Sequence, residues 1–419
     1  MARFRPFRGI RFSSEKVGRF ETVVAPPYDV IDSSGRDRLL ASGPYNVTRL
    51  ILNPHGHAEA GREFRRWLAE GVLVREDAPA FYVYRQDFEL DGTHARVGVI
   101  GALHLEPFSR GVVRPHERTF DHHKRDRLDL TQEVRANLSP IFGLYSNPDF
   151  DPQPDGGWEA PAAIDVEHEG VRNRLWVVRE AANIEAIERA LAGRTVFIAD
   201  GHHRYETALN YYAATHGGAE PPAGEDAPGD DQEPKAHVLA FLGRIEDPGM
   251  IILPTHRVAT SLGGADLARF AGQLCERFDA ERIGRSAEGR KQAVAWLDEQ
   301  PGSRNAFVAG VGEDYLLLSR PKASEGPKAG RLDVSVLHAE VLGAALREAG
   351  GGEPQLEYTA SSSEAFDALD EGRAQAVFIM RATGAGEMAE VCLAGELLPQ
   401  KSTYFYPKLL TGLVFHALE

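Results

Sequence analysis

The spacing of hydrophobic positions changes repeatedly along the chain, and each change marks an element. Phe64, Trp67, Leu68 and Val72 recur at helical spacing, which predicts a helix over 58–73 with one apolar face. Two strand-like runs follow, 80–90 and 95–105. They are joined by Asp91-Gly92, a pair suited to the positive φ of a tight turn, so they predict a β-hairpin. Residues 110–135 are dense in His, Asp and Arg with little apolar period, and read as a functional loop or helix entry. A strand is expected at 175–178 and a helix near 183–191. The β-branched run Thr195–Ala199 then reads as a strand that ends at Asp200-Gly201. Immediately beyond, Tyr205, Ala208, Leu209, Tyr212 and Ala213 return to helical spacing.

Strands resume at 237–242 and 250–253. Past residue 260 helices and strands alternate. Leu267, Phe270, Leu274 and Phe278 form one helical face, and Val336, Leu337, Val341 and Leu342 another; strands are expected at 315–318, 376–380 and 391–393. The whole reads as α+β, with a catalytic region over 1–260 and an additional α/β region over 261–419 that contributes through 399–408. Within the first region, 217–235 carries Gly, Pro, Asp and Glu with almost nothing apolar, and is expected to be a mobile, dispensable insert.

Composition narrows the function. The 419 residues are 42% hydrophobic and 26% charged, as in an ordinary globular protein, with a formal net charge of -15. That charge argues against nucleic acid or an anionic membrane as partner, because both demand clustered Lys and Arg. Cys275 and Cys392 are expected to be buried free thiols. No apolar run has the length of a membrane span or of a signal core, so the expected location is the cytoplasm.

Three polar clusters can carry chemistry. Asp200-Gly201-His202-His203-Arg204 falls where a strand gives way to a helix, and free N–H groups and the helix dipole favour an anion there. Gly201 permits close approach of the backbone, and Arg204 offers a fork for phosphate oxygens. Arg114-Pro115-His116-Glu117-Arg118-Thr119 places a carboxylate between basic neighbours, the state a general base requires. His116, His122 and His123 could instead gather a transition metal, although they match no established zinc spacing. In Pro399–Lys408, Lys401 and Lys408 can neutralise phosphate charge while Ser402 and Thr403 hydrogen-bond it. Tyr28 and Asp29 stand on a Pro-Pro turn and form a weaker site candidate. Neither a Gly-x-x-x-x-Gly-Lys-Ser/Thr loop, a Gly-x-Gly-x-x-Gly fingerprint nor a Gly-x-Ser-x-Gly elbow occurs.

The ordered set Arg-Pro-Phe-Arg-Gly, Ala-Pro-Pro-Tyr-Asp-Val, Arg-Pro-His-Glu-Arg-Thr, Ala-Asp-Gly-His-His-Arg and Lys-Ser-Thr-Tyr-Phe-Tyr-Pro-Lys resembles the prokaryotic family termed domain of unknown function 1015. That family is similar, around Asp-Gly-His-His-Arg, to the ParB-like fold of partition proteins and archaeal free serine kinases. The resemblance implies a kinase that phosphorylates free L-serine to O-phosphoserine with ATP or ADP and Mg²⁺. It implies Glu117 as base beside His116, and Asp200, Gly201, His202 and Arg204 as the phosphate motif; read from the residues, the backbone of 201–203, with His203, is expected to join Arg204 in binding the nucleotide. From the residues themselves, Asp200 is expected to serve catalysis and to hold Mg²⁺ directly or through water, and Lys401, Ser402 and Thr403 are expected to add phosphate contacts. Two departures stand out: the long insertion 120–194 between the motifs, and a last third with no counterpart in those kinases. Two other functions fit the residues, a nucleotide-binding switch without a transfer substrate and a metal-dependent hydrolase.

Overall fold

In a computed structural model the described residues are 2–117, 121–223, 229 and 232–419, with the side chains of 121–124 also outside the description. Arg118 and Thr119, the side chains of His122 and His123, and residues 224–228, 230 and 231 of the acidic insert therefore lie outside it. The chain divides into two units, one of residues 1–115, 119–251 and 407–419, the other of 116–118 and 252–406. This differs from the split at 260 expected from sequence texture. The last thirteen residues return to the first unit because Leu409, Leu410, Leu413, Val414 and Phe415 are buried there.

The first unit is built on one mixed sheet. Its strands are β1 (Phe81–Glu89), β2 (Thr93–His104), β3 (Val113–Arg114), β4 (Ile141–Tyr145), β5 (Ile164–His168), β6 (Val171–Val178), β7 (Val196–Asp200) and β8 (His237–Arg244). Their order is β3-β7-β4-β8-β2-β1-β6-β5, with Phe4–Arg5 added beside β2. Only β3–β7 and β4–β8 are parallel pairs. The hairpin β1–β2 forms as expected, with Asp91 at φ 48° and Gly92 at φ 133° in its turn.

Alternation along the strands sorts the two faces. Phe81, Val83, Val99, Leu103 and Ile198 share a core with helix α3 (Ala181–Leu191) and with Tyr205, Ala208 and Tyr212 of helix α4 (His202–Thr215). The helices that precede these include α1 (His57–Ala69), which buries Phe64 and Trp67, and α2 (Asp121–Val134). The His- and Arg-rich tract after 120 is therefore a helix. The ends of the acidic insert are tied to the unit: Pro222 O accepts from His104 Nε2 at 2.8 Å, and His216 Nε2 lies 2.7 Å from Glu233.

The second unit is a six-stranded antiparallel sheet with helices on both faces. Its strands are β9 (His256–Ser261), β10 (Asp279–Gly284), β11 (Arg304–Val311), β12 (Asp314–Pro321), β13 (Gln355–Thr359) and β14 (Ala376–Met380), in the order β10-β12-β11-β14-β9-β13. Phe307, Ala309, Leu316, Leu318 and Phe378 pack on one face against α5 (Leu267–Arg277) and a π-helix, Leu337–Ala345. Val308, Leu317, Val377 and Ile379 face α6 (Ala287–Glu299) and α7 (Ser362–Asp370). The strand expected at 391–393 is instead the last turn of α8 (Ala385–Leu393). A three-residue apolar run cannot distinguish the two, and burial of Met388, Val391 and Cys392 at helical spacing decides it. Neither cysteine forms a disulfide among the described residues; Cys392 is buried and Cys275 only partly so. No helix among the described residues is long and apolar enough to cross a membrane.

Candidate functional site

The first unit places the Asp-Gly-His-His-Arg cluster at the junction of β7 and α4. Val196 and Ile198 are fully buried in the sheet, and the register with β4 shifts between Ile198 and Asp200, releasing Asp200 at the strand's end. The chain turns through Gly201 at φ 85°, ψ 29°, and α4 begins at His202. The backbone angle at Gly201 favours glycine, and an added Cβ would lie 2.8 Å from Arg204 Nε, so a larger residue would have to move that side chain. The Gly201 N–H donates to Asp200 Oδ1 at 2.8 Å.

Cations gather around Asp200. Lys408 Nζ donates to its Oδ2 at 3.1 Å, and Arg204 Nη2 stands 3.8 Å from the same oxygen while Arg204 Nη1 donates to Pro140 O. Burial alone would raise the carboxyl pKa. Lys408, Arg204 and His202 outweigh that effect and hold it well below the usual carboxylate range. His202 is buried in the first turn of α4, and His203 is half-buried beside it. Arg114, on β3, lies across from Phe197 of β7, and its Nε donates to Gly111 O at 3.0 Å.

Behind Arg204 lies a cavity of about 60 Å³, lined among others by Tyr28, Arg127, Asn137, Ser139 and Thr207. Arg127 sits 4.3 Å from the centre of the Tyr28 ring, a cation–π contact, and donates to Ile51 O at 3.0 Å. Tyr28, a weak candidate in the sequence, thus stands near the cluster. Arg127 was seen in the sequence only as part of a basic tract.

Lys408 is held from beneath by a buried polar network. Gln86 Nε2 donates to Lys408 O at 3.0 Å, Arg96 Nη2 donates to Pro407 O and to Gln86 Oε1, and Tyr84 OH accepts from Leu410 N–H at 3.4 Å. Asn173 Oδ1 accepts from both Tyr84 OH (2.5 Å) and Gln86 Nε2 (3.0 Å). Arg96 is fully buried, and burial brings its guanidinium pKa down to about 10. Sequence reasoning missed this network. Its members are spread over β1, β2 and β6, and no local pattern links them to residue 408.

The second unit gathers the other cluster. His116 O accepts from Leu398 N–H at 2.8 Å, and Glu117 forms a parallel bridge with Leu398. Glu117 Oε2 accepts from Lys401 N–H at 3.1 Å, across a backbone held at φ 56°. His116 is buried, with Nε2 2.8 Å from Thr403 Oγ1. Ser402 is buried too and donates to Pro399 O within its own turn, while the Lys401 side chain is exposed. The first unit therefore unites Asp200, Gly201, His202, His203 and Arg204 with Lys408. The second unites His116 and Glu117 with Lys401 and Thr403, and turns the Ser402 hydroxyl to the backbone.

A lone carboxylate beside two cations is no closed cage for a divalent ion. A Mg²⁺ ion bound mainly through phosphate and water would need only one protein carboxylate. Asp200 would be that ligand.

Solved structures with some likeness include a free serine kinase in complex with AMP, at 15% identity and a TM-score of 0.35, covering 70% of this chain and 83% of that one. A conserved hypothetical protein from Pyrococcus furiosus has 15% identity and a TM-score of 0.34, over 71% and 90% of the two chains. SbnI from Staphylococcus aureus has 10% identity and a TM-score of 0.35, over 74% and 85%. Similarity at that level says nothing about activity. No curated protein matches the chain. The family model for a protein of unknown function, DUF1015, matches residues 4–335, and the chain belongs to that family.

Proposed function

We propose that the protein is a kinase for a small hydroxylated metabolite, free L-serine first among them, with ATP or ADP as donor. The observation that supports this most is the β7–α4 junction. A glycine turn, the start of a helix, Arg204 and Lys408 converge there on one carboxylate, a setting that favours phosphate oxygens. Phosphoryl transfer is mainly positioning and charge neutralisation, which this set supplies.

In the proposed reaction the acceptor hydroxyl oxygen bonds to the terminal phosphorus while the bridging P–O bond to the leaving nucleotide breaks. The hydroxyl proton passes to the Glu117 carboxylate. The N–H of Lys401 fixes one Glu117 oxygen, and the Thr403–His116 bond keeps the adjoining backbone in place. Arg204 and the amides after Gly201 bind the donor phosphates. Asp200 would hold Mg²⁺, which would supply added neutralisation of phosphate charge.

The test is a mass-spectrometric screen of hydroxy amino acids with ATP or ADP and Mg²⁺. A phosphorylated acceptor, formed only with nucleotide, is the expected product. Nucleotide binding without acceptor-dependent consumption would instead identify a switch module. Turnover that needs no nucleotide would identify a hydrolase.

A further inference from the structure

The second unit contains a cavity of about 630 Å³, far larger than the 60 Å³ cavity of the first unit, and within the range of small-molecule sites. One wall is formed by the π-helix Leu337–Ala345, a geometry frequently found at functional sites. His338, Leu342, Arg347, Glu353, Leu356 and Tyr358 are among its lining residues. His338 Nε2 is buried without a hydrogen-bond partner among the described residues, an arrangement that a bound ligand would relieve. The side chains of Arg347 and Glu353 are both exposed and form no ion pair among the described residues, although most arginines of this unit are paired. Behind Tyr358 the guanidinium of Arg257, itself buried, lies 5.5 Å from the ring centre and has an unpartnered Nε.

We propose that this cavity is a second ligand site and that it takes a free α-amino acid. The lining offers opposite charges beside apolar side chains in one cavity, which matches a zwitterion. Arg347 and the neutral His338 ring receive the carboxylate, Glu353 receives the ammonium group, and Leu342, Leu356 and Tyr358 face the side chain. A simple phosphate or dicarboxylate fits less well, because Glu353 opposes a purely anionic ligand. Burial and the nearby Arg257 hold His338 down to about 4, so at neutral pH it engages the carboxylate as a neutral hydrogen-bonding group.

The test is isothermal titration calorimetry of the full chain with the twenty standard amino acids. Propionate and ethylamine serve as controls that lack one charge. At least one amino acid should bind with Kd near or below about 1 mM, and both controls at least about tenfold more weakly. Arg347→Ala and Glu353→Gln, both surface changes, should each weaken that binding about tenfold or more while leaving thermal stability intact. Arg204→Ala should leave it unchanged, so the outcome is separate from that of the proposed kinase activity. Absence of binding by every amino acid would overturn the proposal. Binding that survives both cavity variants would overturn it equally, by locating the ligand elsewhere.

Discussion

Gly201→Ala tests the phosphate-binding turn at its narrowest point. The native φ of 85° costs an L-residue about 1–2 kcal/mol. The new methyl would stand 2.8 Å from Arg204 Nε and 2.9 Å from its Cζ, contacts that force the guanidinium aside. Displacement breaks the Arg204–Pro140 bond, worth about 1.5–3 kcal/mol for a charged donor. Alanine also narrows the unfolded ensemble, which offsets about 0.4–1 kcal/mol. The net expectation is a loss of roughly 2–4 kcal/mol, with a weaker Arg204 contact to any phosphate. Urea denaturation in a Trp296→Phe background reads the first unit alone, since Trp67, Trp158 and Trp176 all lie there. Nucleotide titration follows in parallel. A loss below about 0.5 kcal/mol with unchanged nucleotide affinity would refute both the strain and the proposed role of Arg204.

Other outcomes follow from the same structure. His256 and His338 are held neutral, each with its pKa lowered to about 4, first by burial and then by Arg257. Their stabilisation is complete above the unfolded value near 6.5 and is lost as pH falls towards 4, on the order of 2–3 kcal/mol each. Hydrogen exchange of β9 and β14 peptides across that window should accelerate on acidification, and a flat profile would contradict it. Arg96→Met should destabilise the first unit by about 2–4 kcal/mol, because Pro407 O and Gln86 Oε1 lose a buried donor. It should also loosen Lys408, read as faster exchange of the 407–410 amides. Lys408→Met should raise the Asp200 pKa towards the ordinary carboxylate range, since its nearest cation is gone. Carboxyl chemical shifts against pH would show it, and an unmoved titration would reject the pairing.

Much of this was legible in the sequence because local periodicity carried it. Around Asp200 a short continuous apolar run, a glycine and then helical spacing follow one another within a few residues, and the fold follows. The hairpin at Asp91-Gly92 was legible for the same reason. What escaped depends on contacts remote in the chain. Lys408 meets Asp200 across 208 positions, and its seat is built by side chains from three strands. The polar run 399–408 reads as one cluster, yet Ser402 bonds its own turn, Thr403 meets His116 and Lys408 belongs to the other unit. The π-helix is invisible in the pattern, because Leu337, Val341 and Leu342 are spaced as an α-helix would space them. Val391–Leu393 failed for the opposite reason, being too short for its period to show.

The central claim, a phosphoryl transfer with Glu117 as base, is tested most directly by steady-state kinetics of Glu117→Gln beside Arg204→Ala. Gln keeps the size and can still accept from Lys401 N–H, but cannot take a proton. Acceptor-dependent turnover in Glu117→Gln should fall by about 10²–10⁴-fold with nucleotide affinity nearly unchanged. Arg204→Ala should instead weaken nucleotide binding strongly. Full turnover in the Glu117 variant would contradict the account.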